Sequence, residues 1–131
     1  VHTLAPRNGR EMALFVAIAV MAGIAEESAY RGVAVWILAP VMGNIGAMFL
    51  SAMAFAVAHA VQGGKNMVLI FVIAAVFHAL VYFTGTLVIA MVVHAAYDVV
   101  AGYAASKRAR EVLGADFGGP TAAGPAATPS G

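Results

Sequence analysis

The sequence has 131 residues, of which 63% are apolar and 10% are charged, and its formal net charge is +1. Soluble domains contain about 45–50% apolar and about 25% charged residues, so a chain this apolar could not cover a water-facing surface and is predicted to be a one-domain integral membrane protein. It has no basic stripe for nucleic acid, and without cysteine it has no disulfide, thiolate metal site or cysteine nucleophile.

Apolar runs long enough to span a bilayer follow one another along the chain. After a polar lead over residues 1–10, the first helix is predicted over 11–38. It is expected to end at Ala39-Pro40, because the residue before a proline avoids the α region. Three further helices are predicted over 43–62, 67–83 and 87–105. The predicted fold is therefore an all-α, multi-pass transmembrane bundle of about four helices, with any functional site in its interior.

The two ends of the chain carry signals of their own. Residues 107–131 form a tail after a core over residues 11–106; the tail begins basic and becomes rich in Gly, Ala and Pro, which predicts disorder from about Gly114 onward. The chain starts at Val1 and not at Met, so we expect it to be a fragment of a longer protein; whether it lacks upstream helices stays open. Lysines and arginines precede helix 1, lie between helices 2 and 3, and follow helix 4. By the positive-inside rule, both termini are expected in the cytoplasm, in a bacterial cell membrane.

Ionisable side chains interrupt these apolar runs. A charge at the centre of a membrane helix costs about 2.5–3.5 kcal/mol on insertion scales, and such residues usually face a bundle interior and mark a functional site. The residues concerned are Glu26, Glu27, Arg31, His59, His78, His94 and Asp98.

Helical spacing separates the first three of these charges. Glu27 and Arg31 are four residues apart and can pair on one helix face. Glu26 is rotated by about 100° from Glu27, so it is not neutralised by that pair. Glu26 is therefore the candidate general base. A purely structural ion pair between Glu27 and Arg31 is an equally good explanation of those two residues alone.

The remaining candidates lie on other helices. His94 and Asp98 are four residues apart on the fourth helix, and His59 lies near the end of the second. A candidate site would thus draw on three helices, although His59 as a core histidine and His94–Asp98 as a packing contact stay open. His78 belongs to no such group and is interpreted as structural.

Several reactions can be weighed against these residues. Ser28 and Ser51 lack the G-x-S-x-G context of a nucleophilic serine. Two histidines with several carboxylates could bind zinc, but no H-E-x-x-H motif is present. The third possibility is a metal-free site in which a carboxylate and a histidine activate water. No cofactor is expected, with zinc as the alternative.

Three motifs then match a known pattern in order. EESAYR (26–31), FAVAH (55–59) and HAAYD (94–98) read E-E-x-x-x-R, F-x-x-x-H and H-x-x-x-D/N. Over residues 12–103 the chain resembles the CPBP family of intramembrane proteases, which includes the CAAX prenyl endopeptidases and the bacteriocin-processing and immunity (Abi) proteins.

The resemblance implies a glutamate-dependent endopeptidase acting on a peptide or protein substrate. Glu26 would act with His59 to activate water, and Glu27 with Arg31 would hold the site in shape. His94 and Asp98 would stabilise the oxyanion. Asp98 departs from the asparagine of the prenyl endopeptidases, and an ionised aspartate cannot donate a hydrogen bond. It is expected to be protonated or to act by orienting His94.

Two other functions are compatible with the same residues. One is a non-enzymatic immunity or peptide-binding membrane protein of the same fold, and the other is a zinc-dependent membrane hydrolase. Among substrates, CAAX-like proteins, bacteriocin-like peptides and signal peptides are all open.

The predicted helices place Glu26 and His59 at different heights. At about 1.5 Å per residue, Glu26 lies about 22 Å from the start of the first helix, whereas His59 lies about 5 Å from the end of the second. A shared water requires that the first helix begins below the membrane, tilts, or breaks near Gly23. Side chains more than about 8 Å apart, with no cavity between them, would exclude the mechanism.

Overall fold

The structure is a computed structural model that describes Pro6 and residues 8–117. The described residues form helices and no strand, which confirms the predicted all-α class. The four α-helices are joined by a π-helix between α1 and α2 and a short 3-10 helix between α2 and α3. In chain order the elements are α1 (Gly9–Glu26), the π segment (Glu27–Ala34), α2 (Val35–Ala58), the 3-10 helix (Ala60–Gln62), α3 (Gly64–Thr84) and α4 (Leu87–Phe117).

The first three elements form a helical hairpin. A straight helix over Gly9–Ala58 would be about 75 Å long, far more than the bilayer core of about 30 Å. Within α2, Gly43 adopts φ 74° and ψ 166°, which breaks the helical path. The returning arm, residues 44–58, then packs back on the π segment, where the Ser51 hydroxyl donates to the Tyr30 carbonyl at 2.6 Å.

Three helices are long and apolar enough to cross a membrane: Gly9–Ala58, Gly64–Thr84 and Leu87–Val112. Because the first of them folds back at Gly43, it supplies two antiparallel segments. Large apolar side chains on the outer surface, such as Trp36 and Phe83, are 77% and 83% exposed. Such a surface suits lipid, and the protein is an integral membrane protein.

The predicted end of the first helix at Ala39-Pro40 is wrong. Pro40 lies inside α2, and the chain turns three residues later, at Gly43. The bias against the α region before proline is a tendency, and membrane helices tolerate proline because neighbouring groups satisfy the freed backbone. Glycine, in contrast, adopts the positive φ of this turn without steric cost.

The predicted end of the fourth helix at residue 105 is also wrong, because α4 continues to Phe117. Residues 107–113 are Lys, Arg, Ala, Arg, Glu, Val and Leu. Most of these favour a helix, and none of them is Gly or Pro. The predicted tail is therefore helical over 107–117, and the disorder expected from Gly114 onward is contradicted over 114–117. Its remaining residues, 118–131, lie outside the described part of the chain.

α1 and α4 approach each other closely through small residues. A Cβ atom on Gly23 would lie 2.8 Å from the Met91 carbonyl oxygen, and one on Gly102 would overlap the Phe15 ring. Small residues allow such backbone contact between membrane helices. This packing places the middle of α4, with His94 and Asp98, beside the end of α1.

Candidate active site

The π segment carries the two charges that pair in the sequence. Its hydrogen bonds run from residue i to i+5, which widens the turn, and π geometry in proteins frequently coincides with functional sites. Glu26 is the last residue of α1 and Glu27 the first of the π segment. The carboxylates therefore lie where one helical geometry changes into the other.

Glu27 lies at the centre of a buried network. Its side chain is fully buried, and its Oε1 accepts a hydrogen bond from Arg31 Nη1 at 3.0 Å. The same oxygen lies 2.7 Å from His94 Nδ1. The predicted pair is therefore present, and a third helix joins it through His94.

Arg31 is held on several sides. Its Nη2 donates to the Ala74 carbonyl of α3 at 3.3 Å. Its guanidinium also lies over the ring of Phe55, 4.6 Å from the centroid, and over that of Phe77, at 5.4 Å. Cations are stabilised over aromatic faces, especially when desolvated. Arg31 thus connects the π segment with the returning arm and with α3.

His59 is oriented by the end of its own helix. It lies at the C-terminus of α2, and its Nδ1 is 2.8 Å from the Phe55 carbonyl oxygen. A carbonyl can only accept, so Nδ1 carries the proton. The ring also packs on Phe55, with centroids 4.4 Å apart. This leaves Nε2 to face Glu26, whose Oε2 is 4.0 Å away.

Glu26 faces a cavity together with the other candidates. Its Oε2 is a buried atom with no hydrogen-bond partner, and it lies 3.7 Å from His94 Nε2. Asp98 Oδ2 is 3.6 Å from the same His94 nitrogen. A cavity of about 360 Å³ is lined by Glu26, Phe55, His59, Ile70, Ile73, Phe77, His94, Tyr97, Asp98 and Ala101. The structure therefore places Glu26, His59, His94 and Asp98 around one cavity.

The height difference expected from the sequence does not separate Glu26 from His59. Their side chains are 4.0 Å apart, well within the 8 Å limit set above. A break near Gly23 is not present, because α1 continues through Gly23 to Glu26. The chain changes geometry only afterwards, in the π segment.

Other candidates lie elsewhere. His78 is buried in α3 and lines a separate apolar cavity of about 330 Å³ between α3 and the returning arm. Ser51 is bonded to the Tyr30 carbonyl and does not face the site cavity. Within the described part of the chain, no group of three or more His, Asp or Glu side chains is arranged to hold a metal ion.

Sequence reasoning missed two features of this site. No residue pattern predicts the π segment, because its residues are equally compatible with an α-helix. The bond between Glu27 and His94 was also missed, although a signal existed. A carboxylate buried in lipid needs more than one partner, and a histidine on another helix was available.

Comparison with known families decides the identity of the chain. The sequence-family model of the Rce1-like type II CAAX prenyl endopeptidases matches residues 8–100. The chain belongs to this family. All three motifs lie inside the matched range, and the resemblance to CPBP proteases is confirmed. Membership in this family of membrane endopeptidases implies a protease. Searches of curated proteins and of solved structures each gave no match.

Proposed function

We propose that this member of the Rce1-like family is an intramembrane endopeptidase in which Glu26 and His59 activate a water molecule. The observation that supports this most is the unpartnered Glu26 Oε2, which faces His59 Nε2 across 4.0 Å at the cavity wall. A buried polar atom without a partner costs about 1–3 kcal/mol, so a water or a substrate atom is its expected partner.

The distance between the two side chains suits a shared water. At 4.0 Å they are too far apart for a direct hydrogen bond, but one water oxygen can bond to both. Glu26 would accept a proton as the water oxygen attacks the peptide carbonyl. It would then return that proton to the leaving amine as the C–N bond breaks. His59, with its proton fixed on Nδ1, would accept a hydrogen bond from the water at Nε2.

His94 is the proposed donor to the oxyanion. Its Nδ1 is engaged with Glu27, so only Nε2 faces the cavity. In its doubly protonated form, His94 donates from Nε2 to the negative oxygen of the tetrahedral intermediate. Asp98 lies 3.6 Å from that nitrogen and, when ionised, acts by holding the His94 ring in place.

The cavity lining indicates the kind of substrate. Beyond the polar wall, the cavity is formed by Ile70, Ile73, Phe77 and Ala101. A peptide with apolar residues beside the scissile bond would fit such a lining. The family description names CAAX prenyl endopeptidases, so a prenylated C-terminal peptide is the first substrate to test. A bacteriocin-like peptide and a signal peptide follow.

The test uses the purified protein reconstituted in lipid vesicles with these peptides. Glu26→Gln and His59→Ala are each expected to lower kcat/KM by about 10²- to 10⁴-fold, the contribution of general base catalysis. Glu111→Gln is the matched control, since this exposed glutamate lies about 20 Å along α4 from Asp98.

Three outcomes would contradict the proposal. Full activity of Glu26→Gln would exclude Glu26 as the base. Peptide binding without cleavage by the wild type would favour a non-enzymatic binding protein. Loss of activity with a chelator, followed by recovery with zinc, would replace the metal-free mechanism with a zinc-dependent one.

A further inference from the structure

We infer that Ser51 is a positioning residue that fixes the returning arm against the π segment, and so sets the spacing of Glu26 and His59. Ser51 lies in the middle of the arm and is 1% exposed. Its hydroxyl donates to the Tyr30 carbonyl at 2.6 Å. Tyr30 lies in the π segment, three residues after Glu27 and immediately before Arg31.

One face of the arm packs against the π segment and ends at the site. Ser51, Phe55 and His59 follow each other at intervals of four residues, so they lie along the same side of the helix. Phe55 packs edge-on against the Tyr30 ring, with centroids 5.0 Å apart, and its carbonyl orients His59. The hydrogen bond of Ser51 is therefore two turns before the imidazole that it would position.

A hydrogen bond adds what the apolar contacts of this face lack. Burial of apolar side chains is non-directional, whereas a hydroxyl bonded to one carbonyl favours a single register of the arm against the π segment. A slide of one helical turn is 5.4 Å, which would carry His59 Nε2 beyond any water shared with Glu26. Even a smaller slide would change the 4.0 Å separation of His59 Nε2 and Glu26 Oε2.

The kinetic test rests on the proposed function. Ser51→Ala is expected to lower kcat by about 10- to 100-fold with KM within about twofold, as expected for a small misplacement of reacting groups. Ser51→Thr keeps the hydroxyl and is expected to recover most of the activity. Ser28→Ala is the matched control, because it removes a hydroxyl from the π segment itself.

A second test does not depend on activity. The chain has no cysteine, so Glu26→Cys/His59→Cys carries only the two introduced thiols. A short bifunctional thiosulfonate linker should join them, and adding Ser51→Ala should lower the yield several-fold, whereas adding Ser28→Ala should not. This result supports the positioning role even if no peptide is cleaved and the proposed function fails.

Two results would overturn the inference. One is an unchanged crosslinking yield in the Ser51→Ala background, whatever its kinetics. The other is a Ser51→Ala enzyme with wild-type kcat. If Ser51→Ala does not fold, Ser51→Cys replaces it in the kinetic test, since a thiol has similar size but is a weaker donor. A wild-type kcat for Ser51→Cys would then count against the inference.

Discussion

Glu26 and Glu27 are adjacent in sequence and have different surroundings. Glu27 is fully buried and shares one oxygen between Arg31 and His94. Glu26 faces the cavity, and its buried Oε2 has no hydrogen-bond partner. Glu27 Oε2 also lacks a hydrogen-bond partner, but only Glu26 lines the cavity, so only Glu26 can meet a water or a substrate there.

Stability measurements should separate the two glutamates. Glu27→Gln removes the negative charge beside the buried Arg31, and breaking a buried pair in this way costs about 3–5 kcal/mol. Glu26→Gln loses no hydrogen bond to Oε2, so the free energy of unfolding should stay within about 1 kcal/mol of wild type. Unfolding of both variants in detergent micelles, followed by circular dichroism, measures the difference. Equal losses for the two variants would contradict this division.

Asp98 allows a second test at the level of one residue. Asp98→Asn keeps an acceptor oxygen for the contact with His94 and adds an amide donor for the oxyanion, so kcat/KM should be retained or raised. Asp98→Ala removes both groups and should lower kcat/KM by about 10- to 100-fold, somewhat less than the loss of a direct oxyanion donor. Peptide cleavage by the two variants measures this. If Asp98→Asn falls as far as Asp98→Ala, the negative charge itself is required.

At the scale of single residues, the sequence predicted the candidate site residues because a charge inside a membrane-spanning helix is costly and usually marks a functional site. The few ionisable residues could be sorted by helical spacing, and the structure brings Glu26, His59, His94 and Asp98 to one cavity. The bond from Glu27 to His94 joins residues 67 positions apart. Spacing along one helix cannot identify such a contact, because it depends on how two helices pack.

At the scale of elements, the hairpin depends on Gly43. Its φ of 74° and ψ of 166° fall in a region that is essentially restricted to glycine. The turn reverses the chain, so that the returning arm carries His59 back to the level of Glu26. The first helix was predicted to end at Ala39-Pro40, three residues before this turn, because a proline is a stronger signal for a helix end than one glycine among many.

Gly43→Ala should therefore destabilise the hairpin. Placing a side chain at this φ and ψ costs about 1–3 kcal/mol, although no neighbouring atom lies within 4 Å of the added Cβ. Gly64→Ala is the matched control, because Gly64 has equal space, no positive φ, and lies at the start of α3. It should be neutral or slightly stabilising. Unfolding of both variants in the same detergent checks this, and equal stabilities would contradict a strained turn.

The π segment is the element that sequence could not predict. Its eight residues alternate charged, small and apolar types that suit an α-helix as well. Its Tyr30 carbonyl accepts from the Ser51 hydroxyl and its Arg31 guanidinium donates to the Ala74 carbonyl, so the segment is bonded to both α2 and α3. Contacts with other helices cannot be predicted from the residues of the segment itself, so its local sequence gives no signal for the π geometry.

For the whole molecule, charge and geometry give one consistent topology. The hairpin at Gly43 and the breaks at Gly63 and Gly85 reverse the chain three times. Arg10 lies at the start of α1, Lys65 at the start of α3, and Lys107 in the last third of α4. The turns at Gly43 and Gly85 have no Lys or Arg beside them. The positive-inside rule then predicts the basic side to be cytoplasmic.

Two matched substitutions test this orientation. Asn44 and Asn66 are both exposed and lie beside turns on opposite sides of the predicted membrane. Because the chain has no cysteine, Asn44→Cys and Asn66→Cys each introduce a single thiol. A membrane-impermeant maleimide should label Asn44→Cys in spheroplasts, in which the outer face of the cell membrane is accessible. It should label Asn66→Cys only in inverted membrane vesicles. The reversed pattern would mean the opposite orientation. Labelling of both from one side would mean that the chain does not cross the bilayer between Gly43 and Gly63, and would contradict the predicted topology.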